Sequence, residues 1–309
     1  MGLARQILLK ASQSEWLGRQ FQQRSFSRRA ARRFMPGEDA ASAIAAAREL
    51  QDKGIVTLVT LLGENITTAA GAEAVAAHYA DVVSDIRVAG LDCQLSVKLT
   101  QLGLDLPGGV CLKQLRSVAE QVKGYHSLLW VDMESSDYVE RTLELVETVH
   151  KEYGNVGVCV QAYLHRTMDD IERLVERGIA VRLVKGAYKE PPSVAYQKKQ
   201  QVDSAYSDLG KHLVDAAARR EVFPAFGTHD MKLIRSIQQY AVEKALTADA
   251  YEFEMLYGIG RDSQNALVAD GVRVRVLISY GSAWFPWYMR RLAERPANVW
   301  FVVKSLLSR

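Results

Sequence analysis

The chain has 309 residues, enough for one large domain or two smaller ones and for a sizeable buried core. With 48% hydrophobic and 24% charged residues and only 7 prolines, it is not a disordered, collagen-like or low-complexity protein, and a net charge of +3 gives no electrostatic footprint for nucleic acid. Three widely spaced cysteines (Cys93, Cys111 and Cys159) with no CxxC pair argue against a disulfide framework or a zinc ribbon and fit a reducing cytoplasm, and every apolar run is too short for a membrane span.

In chain order, residues 1–38 stand apart as a basic helical segment. Arg5, Lys10, Arg19, Arg24, Arg28, Arg29, Arg32 and Arg33 are balanced there by Glu15 alone up to Pro36. An Arg-rich, acid-poor start has the composition of a mitochondrial transit peptide. The plainer reading, favoured by the lack of a cleavage-like site before Phe34 and Pro36, is that Ile7, Leu8, Trp16, Phe21 and Phe26 anchor short helices on the main domain.

Residues 39–309 alternate short apolar runs with longer helical patterns, the signature of βα units feeding a parallel sheet. The runs are IVTLVTLLGEN (55–65), CQLSVKLTQLG (93–103), LLWVDMES (128–135), VGVCVQAYL (156–164), AVRLVKGAY (180–188), FPAFGTHD (223–230), YEFEMLYG (251–258) and VRVLISYG (274–281). Helical periodicity lies between them, as at 137–153 and 167–177. Eight such repeats predict a (β/α)8 barrel. The competing open, doubly wound sheet commonly carries a Gly-x-Gly-x-x-Gly turn; none is present, and GLDLPGG (103–109) reads as a loop.

A barrel carries its active site at the C-terminal ends of its strands, and those ends are polar here, from Lys98 and Asp132 to Arg182, His229, Glu254 and Tyr280. Lys98 and Lys185 sit in otherwise apolar strands, where an unpaired ammonium is costly. Three roles are open: a Schiff-base nucleophile of a barrel lyase or aldolase, a fixed cation for an anionic substrate or cofactor, or an ion pair with Asp132 or Glu134. In the last helix, WFPWYMRRLAER (284–295), the adjacent Arg290 and Arg291 diverge by about 100°, with Glu294 in reach of either. They read as a solvated face with one ion pair, or as a double guanidinium clamp for a carboxylate roofed by Trp284, Phe285, Trp287 and Tyr288. No histidine has metal-ligand spacing, so no metal site is expected, and only His229 lies where barrel chemistry belongs. Asp132 or Glu134 with Glu254 would imitate a glycosidase pair, a minor reading beside so many cations.

An ordered motif set carries a family resemblance. SVKLTQLG (96–103), the Asp-x-Glu at 132–134, VRLVKGAY (181–188), FGTHD (226–230), FEMLYG (253–258) and YMRRLAERPAN (288–298) follow one another on successive strand ends. From about Arg29 onward the chain thereby resembles the proline dehydrogenase family in its monofunctional bacterial form. The resemblance implies an FAD enzyme on a distorted barrel that oxidises L-proline to (S)-1-pyrroline-5-carboxylate, the first step of proline degradation to glutamate. It implies electron transfer to a quinone, hence a cytoplasmic protein in transient contact with the inner face of the cytoplasmic membrane, and no nucleic-acid partner. Since the chain has no room for an aldehyde dehydrogenase half, a separate pyrroline-5-carboxylate dehydrogenase is expected downstream.

The same resemblance assigns residues. Lys98, Arg290 and Arg291 would grip the proline carboxylate, Glu294 would hold the arginine pair, Asp132 would support Lys98, and Leu183 and Tyr280 would line the pocket. Gln161, Arg182, Val184, Lys185, Gly186, Ala187, Thr228 and His229 would hold the flavin, with the Arg182 guanidinium favouring the negative charge that hydride transfer brings to it. No general base for the proline amine stands out. Trp287 and Lys189 depart from the bifunctional proline utilisation enzymes, which carry Tyr and Trp at those places.

Overall fold

The computed structural model describes residues 31–125, 127–285 and 287–289. Eight parallel strands close in chain order into a barrel: β1 (Val56–Leu61), β2 (Cys93–Val97), β3 (Leu129–Val131), β4 (Val156–Gln161), β5 (Val181–Val184), β6 (Pro224–Gly227), β7 (Glu252–Leu256) and β8 (Val274–Tyr280). Helix α1 (Ala40–Gln51) precedes β1. The strands are then followed in turn by α2 (Ala69–Ala89), α3 (Val110–Gly124), α4 (Val139–Tyr153), α5 (Thr167–Val175), α6 (Lys199–Ala218), α7 (Met231–Glu243) and α8 (Arg261–Ala269). This is the (β/α)8 barrel that the sequence predicts.

Local chemistry explains the elements. Strands covered on both faces read as unbroken apolar runs, and β4 is buried at every residue. In α4 the buried residues Val139, Thr142, Leu143, Val146 and Val149 form one stripe at helical spacing, and Gly154 ends the helix in a left-handed conformation. Thr68 caps α2 by accepting from Gly71 N, and Asp230 caps α7 by accepting from Lys232 N.

Each predicted run overruns its strand at the C-terminal end. Lys98, Asp132 and Lys185 are the first residues beyond β2, β3 and β5, so neither lysine lies inside a strand as the sequence reading has it. Alternation persists past Val97 because the following loop is itself buried, with Leu99, Leu102 and Leu104 at 3% exposure or less.

Strand alternation divides the buried residues into two sets. Outward residues such as Val59, Val97, Val158, Phe226 and Ile278 join the main core under the helices. Inward residues include the small cluster Leu58, Trp130, Ala180 and Ala225, together with the buried charges Arg182, Glu252, Glu254 and Arg275. Near the N-terminal end of the barrel, Arg275 Nε meets Glu252 Oε1 at 2.7 Å, and Arg275 Nη1 donates to Thr57 O at 2.7 Å.

A separate cluster joins the two ends of the described chain. Ala31, Phe34 and Met35 pack with Leu62, Trp284, Phe285, Trp287, Tyr288 and Met289, and Trp284 Nε1 donates to Glu38 Oε1 at 3.1 Å. The four aromatics thus pack with one another against residues 31–38. Gly258 makes room for this segment: its φ is +74°, and a Cβ there would lie 1.7 Å from Arg33 O. The readings placed on residues 1–30 and on Arg290, Arg291 and Glu294 fall outside the described residues. Among the described residues no helix is long and apolar enough to cross a membrane.

Candidate active site

Arg182 organises the upper interior of the barrel. Its guanidinium lies over the Trp130 ring, with Cζ 4.6 Å from the ring centroid, and the indole is fixed by donating to Gln94 Oε1 at 2.7 Å. Arg182 Nη1 donates to Asp132 Oδ1 at 2.9 Å and to Ser96 Oγ at 3.1 Å, while Nε lies 2.7 Å from Glu254 Oε2. Asp132 accepts a further bond from Ser96 Oγ at 2.7 Å and lies 3.6 Å from Lys98 Nζ. Four alternating charges, Lys98, Asp132, Arg182 and Glu254, thus run across the mouth from β2 to β7. Charges this enclosed are tolerable only when paired.

Burial pushes the Glu254 carboxyl up to about 7, against the downward pull of Arg182. Burial also raises the Glu134 carboxyl, opposed by the Thr100 backbone N–H at 3.1 Å and hydroxyl at 2.8 Å. Glu134 is therefore engaged with the loop after β2 and Glu254 with Arg182, and the glycosidase pairing is set aside.

Lys185 pairs elsewhere than the sequence reading has it. Its Nζ donates to Asp203 Oδ1 on α6 at 2.6 Å and to Asp230 Oδ2, the cap of α7, at 3.0 Å. Burial, the largest single influence, raises both carboxyls, but Lys185 and Lys199 together, with the Lys232 N–H at Asp230, leave both lowered. Lys199 joins Asp203 as well. Of the ion-pair partners the sequence left open, Asp132 thus serves Lys98, and neither it nor Glu134 serves Lys185.

The remaining candidates cluster around β4 to β6. Gln161 ends β4, donates from Nε2 to Glu134 O at 2.8 Å and accepts from Ala187 N at 3.3 Å. Gly186 has a φ of +120°, and a Cβ there would come within 2.4 Å of the Tyr163 ring, so the loop lies flat on that ring. Val184 is half-buried against Gly227, where a Cβ would come within 2.8 Å of its Cγ1. Thr228 Oγ1 accepts from Asp230 N at 3.1 Å, and His229 Nε2 accepts from Leu256 N at 3.0 Å.

Two predicted pocket residues face away from the mouth. Leu183 alternates with Arg182 along β5 and is buried with Val160 and Phe226 between the barrel and its helices. Tyr280 is fully enclosed at the end of β8, and its hydroxyl meets His78 Nε2 on α2 at 2.9 Å. Both were placed by resemblance, whereas strand parity directs them outward. Conversely, sequence reading missed Trp130 and Ser96 as partners of Arg182; parity carries the signal, since each lies two residues before a mouth residue on the same face, Asp132 and Lys98. Asp203 had no local signal, because it meets Lys185 only through the placement of α6.

A flavin nucleotide fits what is present. Arg182 Nη2 is buried with no hydrogen-bond partner among the described residues, and the Gly186–Ala187 backbone is exposed beside Lys185. A buried unpaired donor on β5 and an exposed stretch of small residues just beyond the same strand suit a large, flat, anionic group approaching from the mouth.

Comparison with known proteins places the chain in a family. The profile of the family described as proline dehydrogenase matches residues 43–304. Proline dehydrogenase 1 of Bacillus subtilis subsp. natto is 35% identical over 307 residues, covering 99% of this chain and 100% of that protein. Proline dehydrogenase of Deinococcus radiodurans is 36% identical over 282 residues, with 90% of each chain covered. The crystal structure of proline utilization A (PutA) from Bdellovibrio bacteriovorus, inactivated by N-propargylglycine, superposes with a TM-score of 0.80 at 24% identity, covering 87% of this chain and 33% of that one; the likeness is one of fold.

Proposed function

The chain belongs to the proline dehydrogenase family, and from that premise we propose that it binds FAD and oxidises L-proline to (S)-1-pyrroline-5-carboxylate, passing the electrons to a quinone. The observation that carries the reading is the charged row from Lys98 to Glu254 at the C-terminal ends of the strands, where a barrel enzyme works. A bound flavin supplies the hydride acceptor. The chain's own residues bind and orient. Lys98, steadied by Asp132, presents an ammonium at the mouth for the proline carboxylate, and Arg290 and Arg291 are proposed as its guanidinium partners, with Glu294 holding them. Three cations on one carboxylate fix the substrate ring in one pose, and orientation of that kind is a large part of catalysis. Arg182, Lys185, Gln161, Val184, the Gly186–Ala187 backbone, Thr228 and His229 are proposed to hold the cofactor. Electron delivery to a quinone calls for transient contact of a cytoplasmic protein with the membrane surface, and the product passes to a separate dehydrogenase.

The test is one cuvette of purified protein without oxygen. A flavin spectrum that bleaches on adding L-proline, and not D-proline, is the expected result; a flavin that stays oxidised with L-proline refutes the substrate. Lys98→Met is expected to leave the flavin bound and lower kcat/KM for proline by about 100-fold, the scale of a lost charge-assisted bond. Steady-state kinetics at saturating acceptor would read this, and an unchanged kcat/KM removes Lys98 from the clamp.

A further inference from the structure

Glu254 has no role in the assignments made by resemblance, yet it sits directly behind the proposed flavin cation. It is 5% exposed, with Gly227 on β6 and Arg275 on β8 as its strand partners. Its Oε2 lies 2.7 Å from Arg182 Nε, and its Oε1 is buried with no hydrogen-bond partner among the described residues. Asp132 holds the same guanidinium through Nη1 and is itself balanced by Lys98. The charge of Arg182 is therefore opposed chiefly by Glu254, and the two fix which way its remaining N–H donors point.

We infer that Glu254 is a positioning residue for the proposed flavin reaction: it braces Arg182 against Trp130 and Asp132 beneath the barrel mouth and offsets its charge, so that the bound flavin is less readily reduced than it would be beside an unopposed guanidinium. The inference rests on the flavin reading above. Reduction brings negative charge to the flavin; a nearby cation favours it, and a carboxylate behind that cation weakens the effect. The effect is present only while the carboxylate is charged, and burial raises the pH at which that charge is complete. The charged groups facing Glu254 are Arg182 on β5, Glu252 on its own strand, Arg275 on β8 and, across Arg182, Asp132. Its other titratable neighbours are Cys159 on β4, pushed by burial up to about 12, and Tyr206 on α6, raised well above its ordinary value, so both stay neutral in the range of the experiment.

The experiment is a dye-coupled redox titration of the holoenzyme at pH 8.5 and pH 5.5, comparing wild type with Glu254→Gln. At pH 8.5 the variant is expected to favour flavin reduction by about tenfold in equilibrium constant, the scale of one charge interaction in a partly screened interior. At pH 5.5, where burial has brought more of the wild-type carboxyl into its neutral form, the offset should shrink. Equal potentials at pH 8.5, or the same offset at both pH values, would overturn the inference, since a merely structural change does not track the carboxyl's charge. Should Glu254→Gln give no holoenzyme, Glu254→Asp withdraws the carboxylate by one methylene and is expected to raise the potential at pH 8.5 by less; an unchanged potential there overturns the inference equally. A colourless wild type that cannot be loaded with FAD sinks the flavin reading and this inference together. A wild type reduced by L-proline alongside a variant of unaltered potential sinks the inference alone.

Discussion

Replacing Arg182 with methionine is expected to cost about 3–5 kcal/mol of folding stability and to release the flavin, because it removes one member of a buried ion pair while leaving the others in place. Its guanidinium is 4% exposed and lies within 3 Å of both Asp132 and Glu254. Asp132 would keep Lys98 and the Ser96 hydroxyl, but Glu254 would lose the cation that opposes its desolvation. Trp130 would also lose the group stacked on its face. Against a total stability of about 5–15 kcal/mol for a folded domain, the change would show as a large fall in the urea midpoint. A second substitution, Glu254→Gln, should recover part of the loss by removing the stranded carboxyl, giving a non-additive double-mutant cycle. If Arg182→Met unfolds at the wild-type urea concentration and retains its flavin, the central place given to this guanidinium is wrong.

The barrel is legible in the sequence because a parallel strand covered on both faces must be apolar throughout, and eight such runs punctuated by helical periodicity leave few other ways to hide them. The starts of the strands are visible for the same reason. Their ends are not, because loops such as 99–104 are buried under α3 and keep an apolar pattern after the ladder has stopped. That is why Lys98 reads as a strand residue; Lys185 is followed instead by the exposed Gly186 and Ala187, which are small and uncharged though not buried. Candidate site residues were legible where chemistry and position coincide, as for Asp132 and Arg182, which the fold brings together at the strand ends. Where the side chain's direction mattered, parity was the better guide: it turns Leu183 and Tyr280 outward and brings Trp130, Arg182 and Glu254 inward. Long-range pairings such as Lys185 with Asp203 and Asp230 depend on how α6 and α7 settle on the barrel, and no spacing within a single sequence encodes them.

Arg275→Met should separate stability from catalysis within the same barrel. Arg275 and Glu252 are both fully buried and meet at 2.7 Å near the starts of β8 and β7, five residues below Tyr280 along β8 and hence about 16 Å of strand from the mouth. The lower end of such a barrel serves folding, whereas the upper end carries chemistry. Removing the guanidinium strands Glu252, although Arg273 at 3.1 Å partly compensates it, and also removes the Arg275 bond to Thr57 O. The expected loss is therefore about 3 kcal/mol, toward the low end for a broken buried pair. Kinetics below the lowered melting range should show kcat and KM for proline within twofold of wild type and an unchanged flavin content. The outcome that would defeat this division is a normal urea midpoint with weakened flavin or proline binding, for then the lower ion pair would be coupled to the mouth through Glu254, which neighbours Arg275 on β8 and Arg182 on the inside.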